Sequence, residues 1–162
     1  GEGSTFVLTL PRATDTEAPQ TQTSRPDAFN DGYRRRLVHY VEDNETNAEV
    51  MRGILARRPQ VQLAVSTSGL DGLAALRMNP PSVILLDMHL PDIDGLELLR
   101  HLKADDMLAG IPVIAVSADA TQTRIEQAFA DGASEYVTKP VNVPEFLALL
   151  DRMLAEQDTI FG

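Results

Sequence analysis

From residue 37 onward, short apolar runs alternate with longer segments in which apolar residues recur every three or four positions. The runs cover 37–41, 61–65, 83–86, 111–116 and 135–138. Most are rich in β-branched residues and bounded by turn formers, which predicts strands. The intervening segments predict helices. The first spans 44–57, with Val50, Ile54 and Leu55 facing the core. The second opens at Ser68-Gly69-Leu70-Asp71, a capping-box start, and stops at Asn79-Pro80-Pro81. A third covers 95–104. The fourth, 121–130, is polar except for Ile125, Ala128 and Phe129 and ends at Asp131-Gly132. In the fifth, Phe146, Leu149, Leu150, Met153 and Leu154 fall at i, i+3, i+4, i+7 and i+8. Asn142 and Glu145 stand at capping-box spacing ahead of them, with Pro144 in the first turn.

Five βα units in succession imply an α/β fold, a five-stranded parallel sheet with helices on both faces. The run 83–86 is apolar without alternation, as a strand covered on both sides should be. Small sheets of this kind commonly take the flavodoxin-like order 2-1-3-4-5, with the ligand site beyond the strand C-termini at the switch between strands one and three. Four of the runs end in polar residues suited to phosphoryl chemistry: Glu42-Asp43, Asp87, Ser117 and Lys139. Parallel strands bring all of them to one edge.

Composition narrows the classes. The 162 residues suffice for one domain with a real core plus a tail. The net charge of -10 argues against nonspecific nucleic-acid binding and against contact with anionic membrane surfaces. Without cysteine there is no disulfide and no thiolate site, which fits a reducing, cytoplasmic setting. No apolar stretch approaches a membrane span, and no signal-peptide pattern opens the sequence. Residues 12–36 are rich in Thr, Pro, Asp, Gln and Arg, and read as a flexible linker because they bury too little to offset ordering entropy.

Each candidate residue has an ordinary reading beside the chemical one. Asp87 can attack phosphorus and form an acyl phosphate, yet an Asp at a strand end commonly serves a turn. Glu42 and Asp43 beside Asp87 would repel it, and a hard divalent cation such as Mg2+ relieves that; Asp43 or Asn44 could equally cap the first helix. Ser117 can donate to a phosphoryl oxygen and Lys139 can neutralise one, though a cap and a surface lysine are the plain alternatives. Their joint placement favours the chemistry. His39 reads as a satisfied core or half-buried residue and His101 as surface. His89 either overhangs the site or is simply exposed. Asp92-Ile93-Asp94-Gly95 lacks the remaining ligands of a Ca2+ loop and reads as a turn.

Residues 37–155 resemble the receiver domain of bacterial response regulators and hybrid histidine kinases. The resemblance is carried by Val41-Glu42-Asp43-Asn44, by Leu85-Leu86-Asp87-Met88-His89-Leu90-Pro91-Asp92-Ile93-Asp94-Gly95, by Val116-Ser117-Ala118, and by the stretch from Asp131-Gly132 through Tyr136-Val137-Thr138-Lys139-Pro140. It implies that Asp87 is the phosphoacceptor and that Glu42, Asp43, Asp87 and the Met88 carbonyl bind Mg2+. It further implies that Ser117 and Tyr136 form a switch pair, that Lys139 contacts the phosphate, and that the Lys139–Pro140 bond is cis. Ser117 replaces the commoner Thr within the family's range.

Gly1-Glu2-Gly3-Ser4-Thr5-Phe6-Val7-Leu8-Thr9-Leu10-Pro11 resembles the end of a histidine-kinase ATP-binding domain. The expected organisation is therefore a kinase remnant (1–11), linker (12–36), receiver (37–157) and short tail (158–162) of a hybrid kinase. Its expected partners are the kinase core, in cis or in trans, and a histidine phosphotransfer protein; no DNA-binding module is expected to follow. Two rivals remain at this point: a docking module that is never phosphorylated, and a phosphatase of the haloacid-dehalogenase type. The complete acid, hydroxyl and lysine set weighs against the first. Against the second, His89 occupies the position where that family needs its second Asp.

Overall fold

The computed structural model describes residues 36–161. The segments read as kinase remnant and linker lie outside the described residues, except for Arg36. Strand β1 is Arg36–Val41, β2 Val61–Ser66, β3 Val83–Asp87, β4 Val113–Ser117 and β5 Glu135–Thr138. All pair in parallel in the order β2-β1-β3-β4-β5, which is the expected 2-1-3-4-5. β3 and β4 are buried along their whole length, and the edge strands β2 and β5 are mostly half-buried. That gradient is why 83–86 lacks alternation: both faces of a central strand are covered.

The helices are α1 Glu45–Leu55, α2 Gly69–Met78, α3 Gly95–Ala104, α4 Gln122–Ala130 and α5 Val143–Phe161. They divide the core in two. Ile84, Leu86, Val113 and Ala115 pack with residues of α2, α3 and α4, whereas Val83, Leu85, Ile114 and Val116 pack with residues of α1 and α5. Alternate strand residues thus feed opposite layers, as a pleated strand requires.

Local signals start the helices where expected. Ser68 caps α2 by accepting from the Asp71 amide, Asp94 caps α3 through Leu96, and the Asn142 side chain accepts from the Glu145 amide ahead of α5. Two expectations need correction. Val50 is 55% exposed rather than core-facing. The buried face of α1 is Ala48, Met51, Ile54 and Leu55, and at 100° per residue Val50 sits roughly a third of a turn from its centre. The helix α5 also runs on to Phe161, through residues assigned to a tail, because no Gly or Pro interrupts the chain before Gly162.

Candidate functional site

Strand register assembles the site. Val41 pairs with Leu86, so Glu42 and Asp87 are the next residues on adjacent strands. Asp87 pairs with Val116, setting Ser117 one step beyond it. The Lys139 amide donates to the Ser117 carbonyl at 2.9 Å, and the Lys139–Pro140 peptide is cis. Residues scattered over nearly a hundred positions therefore meet at the C-terminal edge of three neighbouring strands and β5.

Glu42, Asp43 and Asp87 each place a carboxylate oxygen within 4.8 Å of the others. Glu42 and Asp87 are buried and Asp43 is exposed. Both Glu42 oxygens are engaged: Oε1 accepts from the Tyr40 hydroxyl at 2.8 Å and from Lys139 Nζ at 3.0 Å, and Oε2 accepts from the Asn44 amide at 3.1 Å, which leaves acceptor capacity on Oε2. Burial opposes its carboxylate, but the bonds from Asp87, Tyr40, Asn44 and Lys139 outweigh that and hold its pKa down. The Tyr40 phenol is correspondingly pushed up, by burial first and then by its bond to Glu42.

Asp87 Oδ1 accepts from the His89 amide at 3.1 Å and lies 3.7 Å from Lys139 Nζ. Burial, then the neighbouring Glu42, push its pKa up to about 7, against the His89 amide and the Lys139 charge. Burial and the neighbouring carboxylate thus disfavour the charged form of Asp87 while Glu42 stays ionised more readily. One ammonium does not compensate three carboxyl groups. A hard, oxygen-only donor set with surplus negative charge fits a Mg2+-like cation.

Ser117 is fully buried, and its Oγ accepts from the Asp119 amide at 3.0 Å, which leaves the hydroxyl proton to be donated. Tyr136, half-buried, donates its hydroxyl to the Asp119 carbonyl at 2.6 Å. Ser117 and Tyr136, which the resemblance pairs as a switch, are joined through the backbone of Asp119. The Met88 carbonyl accepts two bonds at 3.3 Å, from the Gly95 amide and from Arg124 Nη2.

Two participants were not singled out in the sequence. Tyr40 carried a signal, since i and i+2 on a strand share a face and Tyr40 precedes Glu42 by two. Arg124 carried none, being 36 residues from Met88. The histidines divide as expected at two positions: His39 is buried and shares a 2.7 Å hydrogen bond with Ser66, and His101 is exposed. His89 is exposed, bonding Asp87 through its backbone.

The family model of the response regulator receiver domain matches residues 38–151. The polar-differentiation response regulator DivK of Brucella anthropi is 36% identical over 121 residues, covering 75% of this chain and 98% of that protein. Among solved structures, the receiver domain of sensor histidine kinase PA1611 from Pseudomonas aeruginosa PAO1, with a magnesium ion coordinated in its active site cleft, is similar at a TM-score of 0.68 and 26% identity over 75% of this chain and 98% of that one. A CheY-like response regulator receiver domain protein from Methanospirillum hungatei JF-1 matches at a TM-score of 0.69 and 26% identity, over 77% of this chain and 98% of that one.

Proposed function

The chain belongs to the response regulator receiver domain family, and from that premise we propose that it accepts a phosphoryl group from a phosphohistidine onto Asp87, with Mg2+ held beside it. One observation carries the reading: a buried carboxylate at the end of the central strand lies beside a lysine ammonium and two further acids, with a buried hydroxyl one step on along the neighbouring strand. In the transfer, an Asp87 carboxylate oxygen bonds to phosphorus while the P–N bond to the donor imidazole breaks, its electron pair staying on nitrogen. Lys139, already 3.0 Å from Glu42 Oε1 and 3.7 Å from Asp87 Oδ1, needs only a small shift to meet a phosphoryl oxygen. The Ser117 hydroxyl proton is the second donor, and its commitment to phosphate is read by Tyr136 through Asp119. Glu42, Asp43, Asp87 and the Met88 carbonyl would hold the cation, which supplies the positive charge that lets carboxylates and phosphoryl oxygens share the site.

The donor in this reading is the core of a hybrid histidine kinase, acting in cis or in trans, and the onward acceptor is a histidine phosphotransfer protein; both work in the cytoplasm. The likeness of Gly1 to Pro11 to the end of a kinase ATP-binding domain supports that parentage. So does the similarity to a receiver that belongs to a sensor histidine kinase. Among the described residues no helix is long and apolar enough to cross a membrane.

Intact mass after incubation with acetyl phosphate and Mg2+ tests the site. A single hydroxylamine-labile phosphoryl adduct is expected on the wild type and none on Asp87→Asn. An adduct retained by Asp87→Asn sinks the assignment.

A further inference from the structure

Arg124, the third residue of α4, reaches back over the site to the loop after β3. Its Nη2 donates to the Met88 carbonyl at 3.3 Å and to Asp94 Oδ1 at 2.9 Å. Its side chain is only 20% exposed, and its Nε is buried with no hydrogen-bond partner among the described residues. We infer that Arg124 is an internal competitor for the divalent cation: its guanidinium covers the Met88 carbonyl oxygen and sets how tightly the acidic site binds metal.

This inference rests on the cation site described above, and the geometry says which group must yield. A carbonyl oxygen has two lone pairs, and here the Gly95 amide and Arg124 engage both. The carbonyl cannot turn away to find a third direction. The Met88 amide is bonded to Val116 in the sheet, and Gly95 packs so closely that a Cβ there would stand 2.5 Å from Met88 Cα. The Gly95 amide is fixed by the same packing. The guanidinium is the movable partner, because it can pivot about its ion pair with Asp94. A dication arriving at that oxygen repels a guanidinium bonded to the same atom, so the two exclude one another. The unsatisfied Nε–H marks the present pose as imperfectly bonded, which eases its release.

Calorimetric titration of Mg2+ into the wild type, Arg124→Ala and Arg124→Lys, at a pH above the Asp87 value of about 7, tests this. Arg124→Ala should bind Mg2+ about threefold to tenfold more tightly, the range spanned by one net hydrogen bond. Arg124→Lys keeps the charge but loses the planar fork, and should also bind more tightly than the wild type. A damaged fold would weaken binding, so tightening cannot come from misfolding. Unchanged or weaker binding by Arg124→Ala overturns the inference and leaves the receiver reading intact. Wild-type affinity in Arg124→Lys, with tightening confined to Arg124→Ala, also overturns it, in favour of a bulk charge effect. No binding by any of the three sinks the proposed cation site itself.

Discussion

Asp87 and His39 are both buried, and their proton linkages to stability run in opposite directions. Burial lowers the His39 pKa from 6.5 to about 4, so the unfolded chain binds the extra proton. Its contribution is complete above pH 6.5 and is lost as pH falls through about 4. Asp87, raised from 3.8 to about 7 by burial and Glu42, behaves inversely: its contribution is complete below 3.8 and is lost as pH rises through about 7. Each is worth on the order of a few kcal/mol at full extent. Urea midpoints in metal-free buffer should therefore show Asp87→Asn gaining on the wild type as pH climbs from 4 to 7, with a constant lead above that. Against His39→Gln, the wild type should lose its relative advantage on acidification across 6.5 to 4. Parallel pH profiles for a variant and the wild type would remove the corresponding residue from the account. Lys139→Ala should keep most Mg2+ binding, since no proposed ligand is lost, but slow acetyl-phosphate labelling by about tenfold or more. A mass time course reads that directly.

At the level of elements, the loop joining β3 to α3 is held from several sides. Asp92 accepts from the Gly69 and Leu70 amides at 2.9 Å each, tying the loop to the start of α2. Asp94 caps α3, and Gly95 lies against the Met88 backbone. Gly95→Ala has no room, and should cost about 1–3 kcal/mol in urea denaturation while displacing the Met88 carbonyl. Asp92→Ala should cost about 1 kcal/mol by uncapping α2, with the loss appearing first as faster amide exchange at Gly69 and Leu70. An unchanged unfolding midpoint for Gly95→Ala would show that the loop yields easily. Ser68 and Asn142 were legible as capping residues because caps act within three residues, whereas Asp94 stood out only as part of a turn. The Asp92 bridge, 23 residues long, was not. For the same reason α1 was recognised as a helix while Val50 was given the wrong face. Periodicity shows that an amphipathic stripe exists, but the packing partner decides its centre.

For the molecule as a whole, a cation that binds only the native state must raise its melting temperature. Mg2+ should stabilise the wild type above pH 7 and have a smaller effect on Asp87→Asn, which a thermal melt series would show. The sequence by itself determined the five βα units, their parallel order and the polar residues closing four strands. Each of those follows from local periodicity, turn chemistry and the handedness of crossovers. Tertiary structure alone decided that α1 and α5 share one layer and α2, α3 and α4 the other. It also decided that Lys139 bonds Glu42 across 97 residues and that Arg124 covers Met88 across 36. The elevated Asp87 pKa arose there too, because it needs burial and a second carboxylate alongside. Periodicity is written in neighbouring residues, whereas distances, desolvation and competition for one carbonyl oxygen exist only once the strands have paired and the helices have packed.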